Sequence, residues 1–329
     1  MLDTTQAVRR SAEQLQPIFR EQYRDSIDTC GRAKPRNPES SRRFHRAAMR
    51  TPMKGITMAQ IEETAKPDVQ NALVEKSLEG KVGTITLNNR AKLNALSAPL
   101  IEELIAALSD LTNSEARVIV LRAPKGAKVW SAGHDVKELP TNGRDPLTYD
   151  DPLRRVVRAI KESPTPIIAM VEGSVWGGAC EVVMSCDFVV AAEGSTFAIT
   201  PAKLGVPYDI EGTQSFMQSV GLPVVKEMLF TAQPIPADRA LRVGLVNHVV
   251  PADQLEATTT QIAEYITRNS PLVISLLKEE LHVLAEANPL TAEGFQRIQA
   301  VRRRIYDSAD YQEGIRSFFE RRAPQFQGR

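Results

Sequence analysis

The sequence predicts an α/β protein, a spiral of strand–strand–helix turns followed by a helical C-terminal region. From residue 72 to about residue 200, short runs rich in β-branched residues alternate with segments of helical apolar spacing. The strand–strand–helix unit recurs irregularly about every 40–50 residues, a period typical of stacked turns. After Pro223 the apolar spacing is helical throughout.

The first half of the chain predicts a hairpin and then alternating helices and strands. The hairpin joins residues 72–78 and 82–87 through Glu79-Gly80. A helix follows Ser97, a good N-cap residue, and its apolar residues recur at helical spacing to Leu111. The remaining predicted elements of this half are strands at 117–122, 129–131, 166–171, 188–192 and 196–199, and helices at 151–162 and 179–186.

The C-terminal part predicts helices alone. Their limits follow from the apolar spacing and from glycines and prolines that end a helix. The predicted helices are residues 224–230, 237–243, 255–269, 271–285, 292–308 and 311–322.

Charge divides the chain into unequal parts. Residues 1–60 carry 12 Lys and Arg against 6 Asp and Glu, whereas residues 61–329 carry 29 against 34. Residues 31–43 are polar, contain two prolines and lack an apolar period, which predicts disorder. We therefore expect three regions, namely a disordered basic extension over 1–67, the spiral core over 68–265 and a helical region over 266–329.

The extension has two interpretations. It is a functional basic tail or transit peptide, or the chain starts at a later methionine. The second interpretation is favoured, and the candidate initiators are Met49, Met53 and Met58. Whether residues 1–60 are translated is left open by the sequence.

Composition excludes several classes of protein. Hydrophobic residues make up 42% and charged residues 25% of the chain, as in soluble globular proteins. A net charge of +1 gives no general attraction to nucleic acid or membrane, and no apolar run approaches the ~20 residues of a membrane helix. Cys30, Cys180 and Cys186 are scattered, which predicts reduced thiols in the cytoplasm and no metal site.

Two glycine-containing turns predict a site for negative charge. Gly177-Gly178 separates an apolar strand from a buried helix, whose first N–H groups lack intrahelical partners and lie at the positive end of the helix dipole. Residues 131–136, Ser-Ala-Gly-His-Asp-Val, form a second strand-to-helix turn of this kind. A developing anion could bind between them.

These two turns, in this order, resemble the crotonase (enoyl-CoA hydratase/isomerase) superfamily. The resemblance runs from about Asp68 to the C-terminus. It includes residues 92–96 (Lys-Leu-Asn-Ala-Leu), 205–207 (Gly-Val-Pro), 240–246 (Ala-Leu-Arg-Val-Gly-Leu-Val) and 311–314 (Tyr-Gln-Glu-Gly). It implies a crotonase-type spiral of ββα turns with a C-terminal helical oligomerisation region, and an oxyanion hole for an acyl-CoA thioester formed by the backbone N–H groups of His134 and Gly178.

Within the superfamily, the sequence segments that contain His134 and Tyr208 resemble those of the members that decarboxylate methylmalonyl-CoA to propionyl-CoA and CO2. Hydratases use two glutamates as acid and base; the first matches Glu181, but Pro201 stands at the position of the second. A decarboxylase needs no strong base, because the electrons come from the leaving carboxylate. Glu181 is therefore interpreted as a helix N-terminal carboxylate. The alternatives are an enoyl-CoA hydratase/isomerase and a non-catalytic, RNA-binding crotonase relative.

The resemblance also implies roles for individual side chains. Tyr208 would orient the substrate carboxylate, with Thr200 as a second polar residue of the pocket. The His134 side chain is either a proton donor, or it has no role in the reaction and only the backbone N–H of His134 matters. The second alternative is favoured. The residues implied to line the coenzyme A path are Ala132, His134, Asp135, Val136, Lys137 and Glu138, with residues 92–96 near the adenine and Arg321 at a phosphate.

The implied partners follow from the same resemblance. Coenzyme A would be part of the substrate, and we expect no separate cofactor, no nucleic acid and no membrane. The C-terminal helices would assemble a homotrimer or a dimer of trimers. The epimer of methylmalonyl-CoA and the donor of the final proton are left open.

Overall fold

The structure is a computed structural model that describes residues 72–139, 149–285 and 291–328. The extension predicted over residues 1–67 lies outside the described residues. The predicted boundary at residue 265 stays a prediction. Within the described ranges, no helix is both long and apolar enough to cross a membrane.

In the described ranges, ten strands form two sheets. The larger sheet has six strands in the order β1-β2-β3-β5-β7-β10, and the smaller has four in the order β4-β6-β8-β9. Only the outer pairs β1/β2 and β8/β9 are antiparallel. The strands are β1 Val74–Glu79, β2 Val82–Leu87, β3 Val118–Arg122, β4 Val129–Ser131, β5 Ile167–Val171, β6 Ser174–Trp176, β7 Phe188–Ala192, β8 Thr196–Ala198, β9 Ile235–Pro236 and β10 His248–Val250.

The helices follow the strands in a regular order. They are α1 Ala98–Thr112, α2 Pro152–Glu162, α3 Gly178–Met184, α4 Ile210–Ser219, α5 Leu222–Thr231, α6 Ala237–Arg242, α7 Leu255–Thr267, α8 Pro271–Ala285, α9 Ala292–Tyr306 and α10 Ala309–Phe319. Three-residue or four-residue 3-10 turns occur at Arg90–Lys92, Val136–Glu138, Pro201–Leu204 and Ala252–Gln254.

The predicted spiral of ββα turns is confirmed. After the first turn, in which β1 and β2 both belong to the large sheet, the next turns place one strand in the large sheet, the following strand in the small sheet and then a helix, as in β3–β4–α2 and β5–β6–α3. Parallel neighbours in both sheets are the consequence, because successive turns run in the same direction. The C-terminal helices predicted from Pro223 onward are also present.

The central strands of the large sheet, β3, β5 and β7, are buried on both faces. One face packs against α1, α2 and α3 in the main core, which includes Ile119, Leu121 and Val171. The opposite face carries Val118, Val120 and Ile168, and α7 covers it through Leu255 and Ala263. Strands covered on both faces read as continuous apolar runs, which explains why they could be predicted from the sequence.

Four elements were not predicted. The strands β6, β9 and β10 contain two or three residues each, too few for a period-2 pattern to show. Helix α4 has the sequence Ile-Glu-Gly-Thr-Gln-Ser-Phe-Met-Gln-Ser, in which polar residues and glycine obscure the apolar stripe. Its start is nonetheless fixed by Asp209, whose carboxylate accepts from the Gly212 N–H at 2.6 Å.

Ser97 is the N-cap of α1, as predicted, but its side chain makes no capping hydrogen bond. The Glu138 carboxylate does this instead: its Oε2 accepts from the Ala98 N–H at 2.9 Å. The start of α1 is therefore held by the 3-10 turn that follows residues 131–135, and this connection fixes the position of that loop.

Candidate active site

The loop around His134 is bound to the segment before α1. The Leu96 N–H donates to the Gly133 carbonyl at 2.7 Å, and the Asp135 N–H donates to the Leu96 carbonyl at 3.3 Å. These bonds pair Leu96 with His134 as an isolated parallel bridge. In such a bridge the N–H of the paired residue itself points away from its partner. The His134 N–H is thereby left to face the opposite side, toward Gly178.

Gly133 is required by its surroundings. Its φ is +85°, and a Cβ at this position would overlap the Trp176 carbonyl oxygen and lie 3.3 Å from the Gly178 nitrogen. Only glycine adopts this left-handed conformation without strain and permits so close an approach of two backbones. The glycine thus brings the loop before His134 against the start of α3.

The start of α3 completes the arrangement. Gly177 has φ +53° and ψ −125°, a conformation that side chains other than hydrogen disfavour, and α3 begins at the next residue. A Cβ on Gly178 would stand 3.8 Å from the His134 nitrogen and 2.8 Å from Leu153 Cδ2. The Gly178 N–H, as the first of a helix, has no intrahelical acceptor. The two backbone N–H groups predicted from the sequence are therefore close neighbours.

Thr200 lies beside the same turn. Its Oγ1 is 3.4 Å from the position of a Cβ on Gly177. Thr200 is the N-cap of the 3-10 turn Pro201–Leu204, but its hydroxyl makes no capping hydrogen bond. The geometry therefore does not support a capping role for the Thr200 side chain. Its hydroxyl lies beside Gly177 without a capping hydrogen bond.

The residues implied for coenzyme A adjoin residues 92–96. The Ala132 N–H donates to the Leu93 carbonyl at 2.9 Å, and Lys92 Nζ lies 3.8 Å from Asp135 Oδ2. Asp135 also accepts from the Lys137 N–H at 3.1 Å. The two segments thus form one surface, with the exposed Lys92 and Lys137 as its cations.

The His134 side chain is half-buried. Its Nδ1 is buried and has no hydrogen-bond partner among the described residues. Asp151, the N-cap of α2, binds the Leu153 N–H at 2.9 Å. Burial raises the pKa of Asp151, and the nearby charge of His134 opposes that rise.

Tyr208 and Glu181 are joined directly. The Tyr208 hydroxyl donates to Glu181 Oε2 at 3.2 Å. Glu181 is fully buried and belongs to the first turn of α3, three residues after Gly178. The half-buried tyrosine ring packs near Phe216, with 6.0 Å between ring centroids. Tyr208 is thus attached to the helix that supplies the second N–H group.

Arg154 lies at the centre of this buried cluster. Its Nη2 approaches Glu181 Oε2 and lies 3.0 Å from Asp209 Oδ2, in ion-pair rather than hydrogen-bond geometry. Its Nη1 donates to Asp209 Oδ1 at 3.3 Å and lies 3.6 Å from Glu211 Oε2. Arg154 is 3% exposed, whereas the Glu211 side chain is 64% exposed. One guanidinium therefore neutralises two buried carboxyl groups only in part.

The pKa shifts follow from this arrangement. Burial, and then the charge of Asp209, raise the pKa of Glu181, while Arg154 and Tyr208 act in the opposite direction. Burial and the charge of Glu181 raise the pKa of Tyr208. The carboxylates raise the pKa of Arg154 against the effect of burial. The simple interpretation of Glu181 as a helix N-terminal carboxylate is thus incomplete, because its side chain has specific partners.

Sequence reasoning missed Arg154 and Asp209. A signal for Arg154 exists, since it falls on the apolar side of α2 together with Leu153 and Val157. A charge on a buried helix face requires a partner of opposite charge. The identity of that partner comes from tertiary structure, because Glu181 and Asp209 lie 27 and 55 residues further along the chain.

Arg321 lies at the C-terminal end of the helical region. It follows the end of α10, is exposed and has φ +54°. The helix before it packs against the turn after Thr200: a Cβ on Gly314 would lie 3.1 Å from the Gly205 nitrogen. The role predicted for Arg321 at a phosphate stays a prediction.

Comparison with known proteins identifies the family. Residues 77–329 match the enoyl-CoA hydratase/isomerase family, and the chain belongs to it. Methylmalonyl-CoA decarboxylase of Escherichia coli (strain K12) is 54% identical over 248 residues, which cover 75% of this chain and 95% of that protein. Short-chain-enoyl-CoA hydratase of Clostridium acetobutylicum is 31% identical over 256 residues, with coverage of 78% and 97%.

A solved structure agrees with the sequence comparison. Methylmalonyl-CoA decarboxylase complexed with 2S-carboxypropyl CoA superposes with a TM-score of 0.77 at 52% identity. The match covers 79% of this chain and 100% of that one. The crotonase-type fold and the resemblance to decarboxylases of this family are thereby confirmed.

Proposed function

We propose that the chain decarboxylates methylmalonyl-CoA to propionyl-CoA and CO2. The observation that carries the proposal is the convergence of the His134 and Gly178 backbone N–H groups. It is supported by the 54% identity to methylmalonyl-CoA decarboxylase of Escherichia coli. A thioester oxygen held between the two donors would be polarised toward the enolate that loss of CO2 produces.

The reaction needs little more from the protein than donors that bind the thioester oxygen. The C–COO bond breaks, its electron pair forms the enolate, and the charge moves to the thioester oxygen. Donors placed for that charge stabilise the transition state, and one such donor contributes ~3–4 kcal/mol in other enzymes. Carbon 2 then takes up a proton. No cofactor is required, because the leaving carboxylate supplies the electrons.

Tyr208 is our candidate for orienting the substrate carboxylate. A hydroxyl can donate to a carboxylate without introducing a like charge, and orientation of the breaking bond across the thioester plane lowers the barrier. Thr200 is the second polar group, beside Gly177. Pro201 occupies the position of the second hydratase glutamate, which supports decarboxylation over addition of water.

Coenzyme A is proposed to lie along residues 132–138 and 92–96. Ala132, His134, Asp135, Val136, Lys137 and Glu138 line this path in the proposal, with Arg321 at a phosphate. The Glu138 carboxylate itself binds the Ala98 N–H, so its contribution is to position the loop.

We also propose a homotrimer or a dimer of trimers, in the cytoplasm and without nucleic acid or membrane partners. Support for assembly comes from α8, where Leu272 is 82%, Leu281 67% and Leu284 70% exposed. Exposed leucines clustered on one helix are typical of an interface. The buried free thiols of Cys180 and Cys186 support a reducing compartment.

The test is incubation of the purified full chain with methylmalonyl-CoA, followed by mass spectrometry of the thioester. Conversion to propionyl-CoA is expected. A parallel incubation with crotonyl-CoA is expected to give no hydration product. Hydration of crotonyl-CoA together with unchanged methylmalonyl-CoA would refute the proposal and favour a hydratase.

A further inference from the structure

The Tyr208 hydroxyl has one proton to donate, and that proton is already used. It is donated to Glu181 Oε2 at 3.2 Å. A phenol has a single O–H donor. The orienting role proposed for Tyr208 needs the same proton on the substrate carboxylate. The side chain can therefore serve the substrate only if Glu181 gives up this hydrogen bond.

We propose that Glu181 is a positioning residue that competes with the substrate carboxylate for the single hydrogen bond that the Tyr208 hydroxyl can donate. When Glu181 is protonated, Tyr208 donates this hydrogen bond to the substrate carboxylate instead. The inference rests on the proposed decarboxylation. It assigns to Glu181 a role that acts through Tyr208 rather than by contact with substrate.

The charges of the cluster support a protonated Glu181. Arg154 on α2 supplies one positive charge, and Glu181 and Asp209 together would supply two negative charges in a buried space. Glu211 on α4 also faces Arg154, from an exposed position. Two carboxylates at one site are not both ionised without cost, and one of them takes up a proton.

The hydrogen bonds indicate which carboxyl group carries the proton. Asp209 accepts from the Gly212 N–H at 2.6 Å and from Arg154 Nη1 at 3.3 Å. The Glu181 side chain accepts a hydrogen bond only from Tyr208 among the described residues, and its Oε1, like Asp209 Oδ2, is buried without a hydrogen-bond partner there. A proton on Oε1 neutralises Glu181 and leaves Oε2 as an uncharged acceptor for Tyr208.

Neutral Glu181 is the weaker competitor. A hydrogen bond to an ionised acceptor is roughly twice as strong as one between neutral groups. Against ionised Glu181 the substrate carboxylate has no advantage. Against neutral Glu181 it is the stronger acceptor for the Tyr208 proton, because it is charged. Ionisation of Glu181 as the pH rises therefore withdraws Tyr208 from the substrate.

The test is the pH dependence of kcat for CO2 release from methylmalonyl-CoA, between about pH 5 and 9. Wild-type kcat is expected to decline at the alkaline end by about tenfold in total, the effect of losing the Tyr208 hydrogen bond. Glu181→Gln, an uncharged isostere, is expected to lose this decline. Glu211→Gln is the matched control, because Glu211 pairs with the same arginine without touching Tyr208; it is expected to keep the wild-type profile.

Two results would overturn the inference. One is a Glu181→Gln variant whose pH profile matches the wild type. The other is a variant that folds, by circular dichroism, yet releases no CO2 at any pH, since an ionised Glu181 would then be essential. If Glu181→Gln fails to fold, the Tyr208→Phe variant is the deciding test. This variant should lower kcat about tenfold at low pH and should remove the alkaline decline of kcat. A pH profile of kcat that is unchanged from the wild type would reject the inference. Absence of CO2 release by the wild type would instead refute the proposed function.

Discussion

The His134 nitrogen lies 3.8 Å from the place where a Cβ on Gly178 would stand. The two residues are 44 positions apart and belong to different turns of the spiral. Stacking of these turns, together with the left-handed Gly133, brings their N–H groups into one space. A methyl group at Gly178 would occupy that space.

Gly178→Ala is therefore expected to lower kcat about 10²-fold, the effect of losing one oxyanion donor. The fold should survive, because the nearest atom to the new methyl is a flexible end of Leu153. The measurement is steady-state kinetics with methylmalonyl-CoA. Gly221→Ala is the control, since its φ is −61° and its Cβ meets only Pro223 Cδ at 3.8 Å. Near-wild-type kcat in Gly178→Ala would contradict the oxyanion role.

His134→Ala is expected to keep kcat within about tenfold of the wild type. The backbone N–H that we propose to bind the thioester oxygen is unchanged by this substitution, and the bridge to Leu96 uses backbone atoms only. The measurement is kcat together with a melting temperature. Near-total loss of turnover in a variant with wild-type melting would show that the imidazole itself is needed.

The spiral and the two glycine-containing turns could be predicted from the sequence because both depend on local patterns. Strands buried on both faces and a glycine pair before a helix leave signals within a few residues. The cluster around Arg154 could not be predicted in the same way. Its partners come from α3 and from the segment before α4, and their pairing depends on how helices pack. Helix α4 itself was missed, so the position of Asp209 at its start had no context.

Gly133→Ala is expected to destabilise the fold by about 2–5 kcal/mol. A left-handed φ costs ~1–2 kcal/mol for a residue with a side chain, and overlap with the Trp176 carbonyl adds ~1–3 kcal/mol of packing strain. Gly80→Ala isolates the first contribution, because Gly80 has φ +60° and no atom within 4 Å of its Cβ. Urea unfolding of both variants measures the difference. Equal losses would show that the Gly133 loop can move away from Trp176.

Arg154→Leu is expected to lower the free energy of unfolding by about 3–5 kcal/mol, because it leaves buried carboxyl groups without their cation. Arg155→Leu is the matched control on the same helix: Arg155 pairs with Glu102 at the surface, where an ion pair contributes about 0–1 kcal/mol. Urea unfolding at neutral pH compares the two variants.

The loss in Arg154→Leu should also depend on pH. Burial already raises the pKa of Glu181, and removal of Arg154 removes the largest influence that lowers it. An acid whose pKa is higher in the folded than in the unfolded state binds its proton more tightly when the protein is folded. The amount by which this acid lowers the free energy of unfolding therefore decreases as the pH falls. The deficit relative to the wild type should therefore be smallest where Glu181 is protonated in both proteins, and should grow as the pH is raised through the range in which only the wild-type Glu181 ionises. A deficit that stays constant over that range would mean that Arg154 contributes through packing and not through its charge.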